Sequence, residues 1–202
     1  MDPARLMTMT IPIDELKAGL RKSAFATRDA LPAAERQAAA EAIAARPFPV
    51  PVSPGMIVSG FSPLKTEINP LPLMRRLAAA GAKLALPVVA GRGKPLTMRS
   101  YAFGQPLNEG VWGIREPKED APEVEPDILI VPLAAFDRRG NRIGYGAGYY
   151  DMTITRLRSR KPVLAIGIAY AAQEVAEVPV TDRDARLDLV LTEKDVIDFR
   201  KA

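Results

Sequence analysis

The sequence predicts a single three-layer α/β domain, a mostly parallel sheet with helices on both faces, and three observations carry that expectation. Apolar runs of strand length alternate with segments of helical periodicity along the chain. Several of those runs are apolar at every position, as strands covered on both faces are. A length of 202 residues, with 48% hydrophobic and 26% charged side chains, is globular in composition and sufficient for a substantial core. The domain is expected over 14–202, preceded by an N-terminal extension over 1–13.

The elements follow in order. Asp14 is a candidate cap for a helix over 15–30, whose buried stripe is Leu16, Leu20 and Ala24 at every fourth position. Pro32 restarts a helix over 33–45, which Pro47 stops, and the Pro-rich stretch 46–54 is a loop. A buried strand is expected over 56–61 and a helix over 70–80 with Gly81 at its C-terminus. Strands follow over 83–89, interrupted by Pro87, and over 96–102 at an edge, and then an irregular connection over 105–125. The remaining expectations are a β-branched strand over 128–131, a helix over 151–160, a strand over 163–169, a short helix over 171–178 and a strand over 187–192. In sheets of this class ligands bind beyond the carboxyl ends of the strands, so the loops after Phe61, Val131 and Thr192 are the functional candidates.

Composition narrows the chemistry. The chain has no cysteine, which excludes a disulfide scaffold, a thiolate metal site and a cysteine nucleophile. It has no histidine, so any metal must be held by oxygen, as Mg²⁺ is. No apolar run is long enough to span a bilayer, and the first residues lack the apolar core of a secretory signal, so a cytoplasmic protein without a membrane partner is expected. Net charge is +4, and its distribution is uneven. Between Phe136 and Lys161 seven basic residues face only Asp137 and Asp151, whereas from Glu174 onward eight acids outnumber five bases. A basic surplus at a glycine-rich stretch suits a polyanion. For Arg156, Arg158, Arg160 and Lys161 a solvated helix face is the preferred reading. No RNA-binding aromatic motif or basic tail is present, so nucleic acid is not an expected partner.

The most informative stretch runs from Asp127 to Asp151. A buried strand ends at Pro132, a polar turn spans 137–141, and Arg142-Ile-Gly144-Tyr145-Gly146-Ala147-Gly148-Tyr149-Tyr150-Asp151 leads into a helix. Glycines at alternate positions let the backbone approach a ligand, and their N–H groups with the helix start form an anion-binding concavity. Arg142 can grip a phosphate bidentately, and Asp151 stands where it could hold a cation bridging phosphates. The segment is neither a P-loop nor the dinucleotide fingerprint, because both the spacing and the Gly-Lys-Ser/Thr ending are absent. A tight hairpin is the purely structural alternative.

With Phe136-Asp137 and Gly140 before it, this segment closely resembles the signature of the 5-formyltetrahydrofolate cyclo-ligase family. The resemblance extends over about 16–196. Lys17-Ala-Gly-Leu-Arg21, Phe61-Ser-Pro-Leu-Lys-Thr-Glu67-Ile, Gly110-Val-Trp-Gly-Ile-Arg-Glu116-Pro and Leu187-Asp188-Leu-Val-Leu-Thr-Glu193 resemble further family elements in the same order. The family often carries a His-Asp pair before the last strand, and this chain has Thr181-Asp-Arg-Asp184 instead.

The resemblance implies ATP-dependent closure of 5-formyltetrahydrofolate to 5,10-methenyltetrahydrofolate with release of ADP and phosphate, by a monomer with Mg²⁺ as cofactor. It implies ATP contacts from Lys17, Arg21, Arg142, Gly144, Tyr145, Gly146, Ala147, Gly148, Tyr149 and Tyr150. Folate contacts are implied for Phe61, Glu67, Trp112, Gly148, Tyr149 and Tyr150, a catalytic role for Arg142 and Tyr149, and metal ligation for Asp151 and Asp188. Plainer readings stand beside several of these. Lys17 and Arg21 are also a solvated stripe continued by Arg28, Glu67 a cap for the helix near Pro70, and Phe61 a core residue. Trp112 serves equally in packing, and Asp188 in a salt bridge to Arg186 or another base. Adjacent Tyr149 and Tyr150 must diverge, one lining the cleft and the other packing. A non-catalytic folate or nucleotide binder is the alternative function.

Overall fold

The computed structural model describes residues 11–201. Of the expected extension over 1–13, residues 1–10 lie outside the described residues. In chain order the elements are α1 (Ile13–Asp29), α2 (Ala33–Ala45), β1 (Ile57–Ser59), α3 (Leu71–Ala79), β2 (Lys83–Val88), β3 (Thr97–Tyr101), β4 (Leu107–Glu109), β5 (Arg115–Pro117), β6 (Ile128–Val131), β7 (Ala135–Phe136), β8 (Arg142–Ile143), α4 (Tyr149–Arg158), β9 (Leu164–Ile168), β10 (Leu189–Leu191) and β11 (Val196–Asp198). Three single 3₁₀ turns, Val111–Gly113, Ala171–Gln173 and Phe199–Lys201, complete it.

The main sheet runs β11-β10-β9-β6-β1-β2-β3. Its five inner strands are mutually parallel, and β3 and β11 pair antiparallel at the two edges. The alternating side chains of the central strands divide between two cores. Ile128, Ile130, Ile166, Ile168, Leu189 and Leu191 face α2 and α3, and Leu129, Val131, Ala165 and Val190 face α4. The predicted three-layer α/β arrangement is therefore present. α1 lies apart from both layers: Leu20, Ala24 and Phe25 pack on Ala134, Ala135, Ile143 and Val178 at the carboxyl edge of the strands.

Helix starts owe little to side-chain caps. α1, α2 and α3 begin after Pro12, Pro32 and Pro70, which supply no capping side-chain bond, although Asn69 Oδ1 accepts from Leu71 N at the start of α3. Proline's preset φ favours such starts. Asp14 is accordingly not the cap of α1 but a first-turn acid favoured by the helix dipole. Leu16, expected in the buried stripe, is 43% exposed, whereas Arg28 on the same helix is buried.

Three stretches depart from expectation. The connection over 105–125 contains the antiparallel pair β4–β5, with Trp112 at its tip. The helix expected over 171–178 stops after one 3₁₀ turn, because the N–H groups of Val175 and Val178 bond Phe136 O and the Asp137 carboxylate instead. β11 was not expected and closes the edge against β10. The basic surplus over 136–161 is largely matched internally: Arg138 with Glu174, Arg139 with Glu177, Arg158 with Asp188, Arg160 with Glu125 and Lys161 with Asp127.

Gly140 closes the turn between β7 and β8 at φ +84°, and a Cβ there would stand 2.9 Å from the Phe199 ring and 3.0 Å from Leu187 O. Gly140→Ala should therefore destabilise the protein by about 1–3 kcal/mol. Urea unfolding monitored by circular dichroism checks this, and an unchanged midpoint would contradict the assigned geometry.

Candidate active site

Strand order sets the location. From β1 the chain crosses to β2 on one side, and later to β6 on the other side. The loops leaving β1 and β6 thus diverge in opposite directions and leave a crevice between their carboxyl ends. The first of these loops carries Phe61 to Glu67. The second leads through the β7–β8 hairpin into the glycine segment 144–148 and α4.

Asp137 fixes the hairpin turn. Its carboxylate is fully buried and accepts hydrogen bonds from Arg139 N, Asn141 N, Asn141 Nδ2 and Val178 N at 2.9–3.1 Å. Burial alone would push its pKa up; those hydrogen bonds outweigh burial and hold it below the usual carboxylate value. Beyond this turn, Gly146 at φ +99° and Gly148 at φ +69° take the backbone through left-handed conformations. Gly148 starts α4 without a side-chain cap, so the first-turn N–H groups remain free of intrahelical partners.

Basic side chains converge on this segment from two directions. Arg21 Nε donates to Gly144 O at 2.7 Å, and its guanidinium lies 3.2 Å from where a Cβ on Gly146 would sit. Lys17, one turn earlier, pairs with Asp184, which also accepts from Thr181 N and Thr181 Oγ1. Burial works upward on the Asp184 carboxyl, but the Lys17 ammonium and the two Thr181 donors prevail and lower its pKa. From the hairpin side, buried Arg142 donates through Nη2 to Asp151 Oδ1 at 2.8 Å, and Ala185 N donates to the same oxygen at 3.0 Å. Arg142 Nε is buried without a partner.

Opposite them, Glu67 is 8% exposed and accepts from Leu64 N. Burial is the main influence on its carboxyl and raises its pKa, against the opposing pull of Leu64 N, Arg28 and Tyr145. It caps the turn over 64–67 rather than α3, whose first N–H groups face Asn69. Tyr150 lies between Glu67 and Arg142 in charge environment, and its buried hydroxyl has no partner; burial pushes that phenol far up. Both adjacent tyrosines pack against the core beside α4, and the Tyr149 ring centroid is 6.2 Å from that of Trp112. Trp112 is 65% exposed at φ +58°, at the tip of the β4–β5 hairpin, and Ser62 Oγ joins that hairpin to the β1 loop through Arg115 O. Phe61 is a core residue packed with Ile68 and Tyr170. Tyr145 is half-exposed and Ala147 exposed in the glycine segment.

The pairing of Asp151 with Asp188 is not present. Asp188 bonds Arg158 Nη2 and Ala165 N at the amino ends of the strands. Arg158 is the last residue of α4 and Asp151 lies in its first turn, so about 10 Å of helix separates the two carboxylates. Asp188 has the salt-bridge role, with Arg158 rather than Arg186. The carboxylate that adjoins Asp151 is Asp184, whose neighbour Ala185 donates to Asp151. The sequence assigned Asp184 no role and made Arg28 the continuation of a solvated stripe, whereas Arg28 is buried. Arg28 had a readable signal, because positions 17, 21, 24 and 28 share one helix face and Ala24 on that face is buried. Glu193 acts through structure: it accepts from Ala171 N, while Arg46 grips the carbonyls of Thr192 and Glu193.

The fold and site define an α/β protein whose crevice at a strand-order reversal is walled by a glycine segment flanked by basic side chains and by a buried acid. The chain belongs to the 5-formyltetrahydrofolate cyclo-ligase family, whose model matches residues 13–193, and is an enzyme of that family. It is 34% identical over 158 residues to 5-formyltetrahydrofolate cyclo-ligase of Escherichia coli strain K12, covering 74% of this chain and 84% of that one. To the enzyme of that name from Mycolicibacterium smegmatis it is 32% identical over 186 residues, covering 88% and 94%. The solved structure of Aquifex aeolicus 5,10-methenyltetrahydrofolate synthetase superposes with a TM-score of 0.74 at 30% identity, covering 93% of this chain and 94% of that one. Among the described residues no helix is long and apolar enough to cross a membrane.

The state of Glu67 generates a stability prediction. A carboxyl whose pKa is raised on folding binds protons more tightly in the folded chain, so its contribution falls as pH rises above the unfolded value near 4.5. Glu67→Gln removes that loss. Its thermal midpoint should exceed that of the wild type at pH 7, with the gain shrinking as pH falls through the raised folded value and lost below 4.5. A gain that persists at pH 4 would contradict the assignment.

Proposed function

We propose that this chain converts 5-formyltetrahydrofolate to 5,10-methenyltetrahydrofolate with ATP, releasing ADP and phosphate. The observation that carries the reading is the facing arrangement of a cation-flanked glycine segment and a buried carboxyl across one crevice. A formamide oxygen is a poor leaving group. In the proposed reaction it attacks the γ-phosphorus and ADP departs. N10 then adds to the formyl carbon, loses its proton, and phosphate leaves as the cationic methenyl ring forms. No side-chain nucleophile is needed, in agreement with a chain free of Cys and His. The protein's part is positioning and charge neutralisation.

In this reading Lys17, Arg21, Arg142 and the backbone of 144–148 share the triphosphate charge, with Tyr149 and Trp112 against the folate ring and Glu67 on its hydrogen-bonding edge. The donor set near the glycine segment suits a hard cation. Asp151 Oδ2 and Asp184 Oδ1 accept no hydrogen bond from the described residues, while the other oxygen of each is engaged. No group of three acids gathers among the described residues, so a cation there would complete its shell with phosphate oxygens and water, as Mg²⁺ does. Bound there, Mg²⁺ would supply further neutralisation of phosphate charge. Asp188 has no part in it.

Absorbance of the methenyl product, followed with and without ATP, tests the reaction. ATP-dependent product formation is expected. Thermal stabilisation by folate with no turnover would make the chain a binder instead. The cation reading has its own test. Asp184→Asn and Asp151→Asn should each raise the Mg²⁺ concentration for half-maximal activity severalfold. Asp188→Asn should lower thermal stability through Arg158 and leave the Mg²⁺ dependence unchanged; a shifted dependence in Asp188→Asn would restore that residue to the metal site.

A further inference from the structure

Arg28, near the end of α1, is 2% exposed, and a guanidinium so placed normally meets a carboxylate. Its nearest one is the exposed Asp29, at 3.8 Å. Arg28 serves other groups. Nε donates to Thr66 Oγ1 at 3.0 Å, and Nη2 donates to Tyr145 OH at 3.2 Å. The guanidinium stands 4.9 Å from the Phe25 ring centroid and 5.8 Å from that of Tyr145, and those rings are themselves 4.9 Å apart. Nη1 is buried without a partner. Thr66 also donates to Asp29, which fixes its hydroxyl as an acceptor for Arg28.

These contacts join three separate segments. Arg28 belongs to α1, Tyr145 to the glycine segment and Thr66 to the turn that ends in Glu67. Tyr145 OH accepts from Arg28, so the Arg28 fork ties Tyr145 to Thr66, the residue directly before Glu67. A lysine could not reproduce the arrangement, because one ammonium lacks the fixed fork that reaches Thr66 and Tyr145 together.

We propose that Arg28 and Tyr145 are positioning residues for the folate half of the site: Tyr145 OH anchors Arg28, and Arg28, through Thr66, holds the turn that presents the Glu67 carboxyl to the hydrogen-bonding edge of the pterin. The proposal rests on the folate reading of Glu67 given above. It explains why a buried cation lacks a full set of partners, since a packing role would be filled at least as well by an apolar side chain. It also assigns Tyr145 a role through its side chain, separate from the loop backbone that faces Arg21.

The test uses the full chain and 5-formyltetrahydrofolate, with affinity measured by calorimetry in the absence of nucleotide and the KM for ATP measured separately. Tyr145→Phe keeps the half-exposed ring and deletes only the hydroxyl. It should weaken folate binding by about five- to tenfold while moving the KM for ATP less than about twofold. Arg28→Lys should lose folate affinity at least as much, with circular dichroism confirming that it is folded. A merely structural hydroxyl would lower folate affinity and ATP use together. Wild-type folate affinity in Tyr145→Phe, or an equal loss on both substrates, overturns the proposal. Failure of the wild-type chain to bind folate overturns the functional reading itself, and the proposal with it.

Discussion

A carboxylate with no access to water, at Asp137, is the constraint on which the site depends. An unpaired buried charge is costly, so the chain must supply it with donors. Four N–H groups do so, and they belong to two stretches: the turn that carries Arg139 and Asn141, and the segment at Val178 some forty residues later. Satisfying one carboxylate thereby closes the β7–β8 hairpin, sets the direction in which Arg142 leaves it, and draws the segment ending at Val178 away from a helix. Thr181, Asp184 and Ala185 follow that segment and bring partners to Lys17 and Asp151. The glycine segment inherits its position from a hydrogen-bond requirement located before it.

The second determinant is α1, which belongs to neither helical layer. It lies across the carboxyl edge of the strands and contacts the hairpin, the glycine segment and the β1 loop through Ala24, Arg21 and Arg28. A crevice at a strand-order reversal is open by construction. Here α1 supplies its third wall, which is why basic residues at the start of the chain meet a loop more than one hundred residues later. The strongly basic stretch over 136–161 contributes less than its charge suggests. Arg138, Arg139 and Arg158 are matched by acids that follow it and Arg160 and Lys161 by Glu125 and Asp127 before it, whereas Arg142, paired with Asp151, stands at the crevice.

Legibility in the sequence followed the physics of each element. β6 and α2 have the bounds read from their residues, because a fully apolar run and an alanine-rich segment between prolines leave little freedom. The hairpin at 107–117 and strand β11 were not readable: each is three residues of antiparallel pairing with a near neighbour in the chain, too short to show a periodicity. The short helix over 171–178 failed because a buried aspartate elsewhere takes its N–H groups. At the site, Arg142, the glycines and Glu67 were legible as motif residues. Asp188 misled because a strand-opening acid looks alike whichever end of a neighbouring helix it meets, and only the register of α4 shows that it meets Arg158.

Unsatisfied polarity is not spread evenly through the molecule. Of the five buried side-chain atoms without a partner among the described residues, Arg28 Nη1 and Tyr150 OH belong to groups that share an electrostatic environment with Glu67, itself a buried acid with a raised pKa, and Arg142 Nε belongs to a group that acts on Tyr150. The ion pairs of the surface and the turn at Asp137 are satisfied, so this is no general looseness of packing. Folding stability alone would not retain idle buried donors in the surroundings of a buried carboxyl, since apolar side chains of similar volume cost less in such a place. A site prepared for a polar, planar ligand must instead hold its donors and acceptor ready before the ligand arrives. The physical cost of this arrangement is what distinguishes the crevice from the rest of the sheet edge, and it falls on residues contributed by α1, the β1 loop and the glycine segment together.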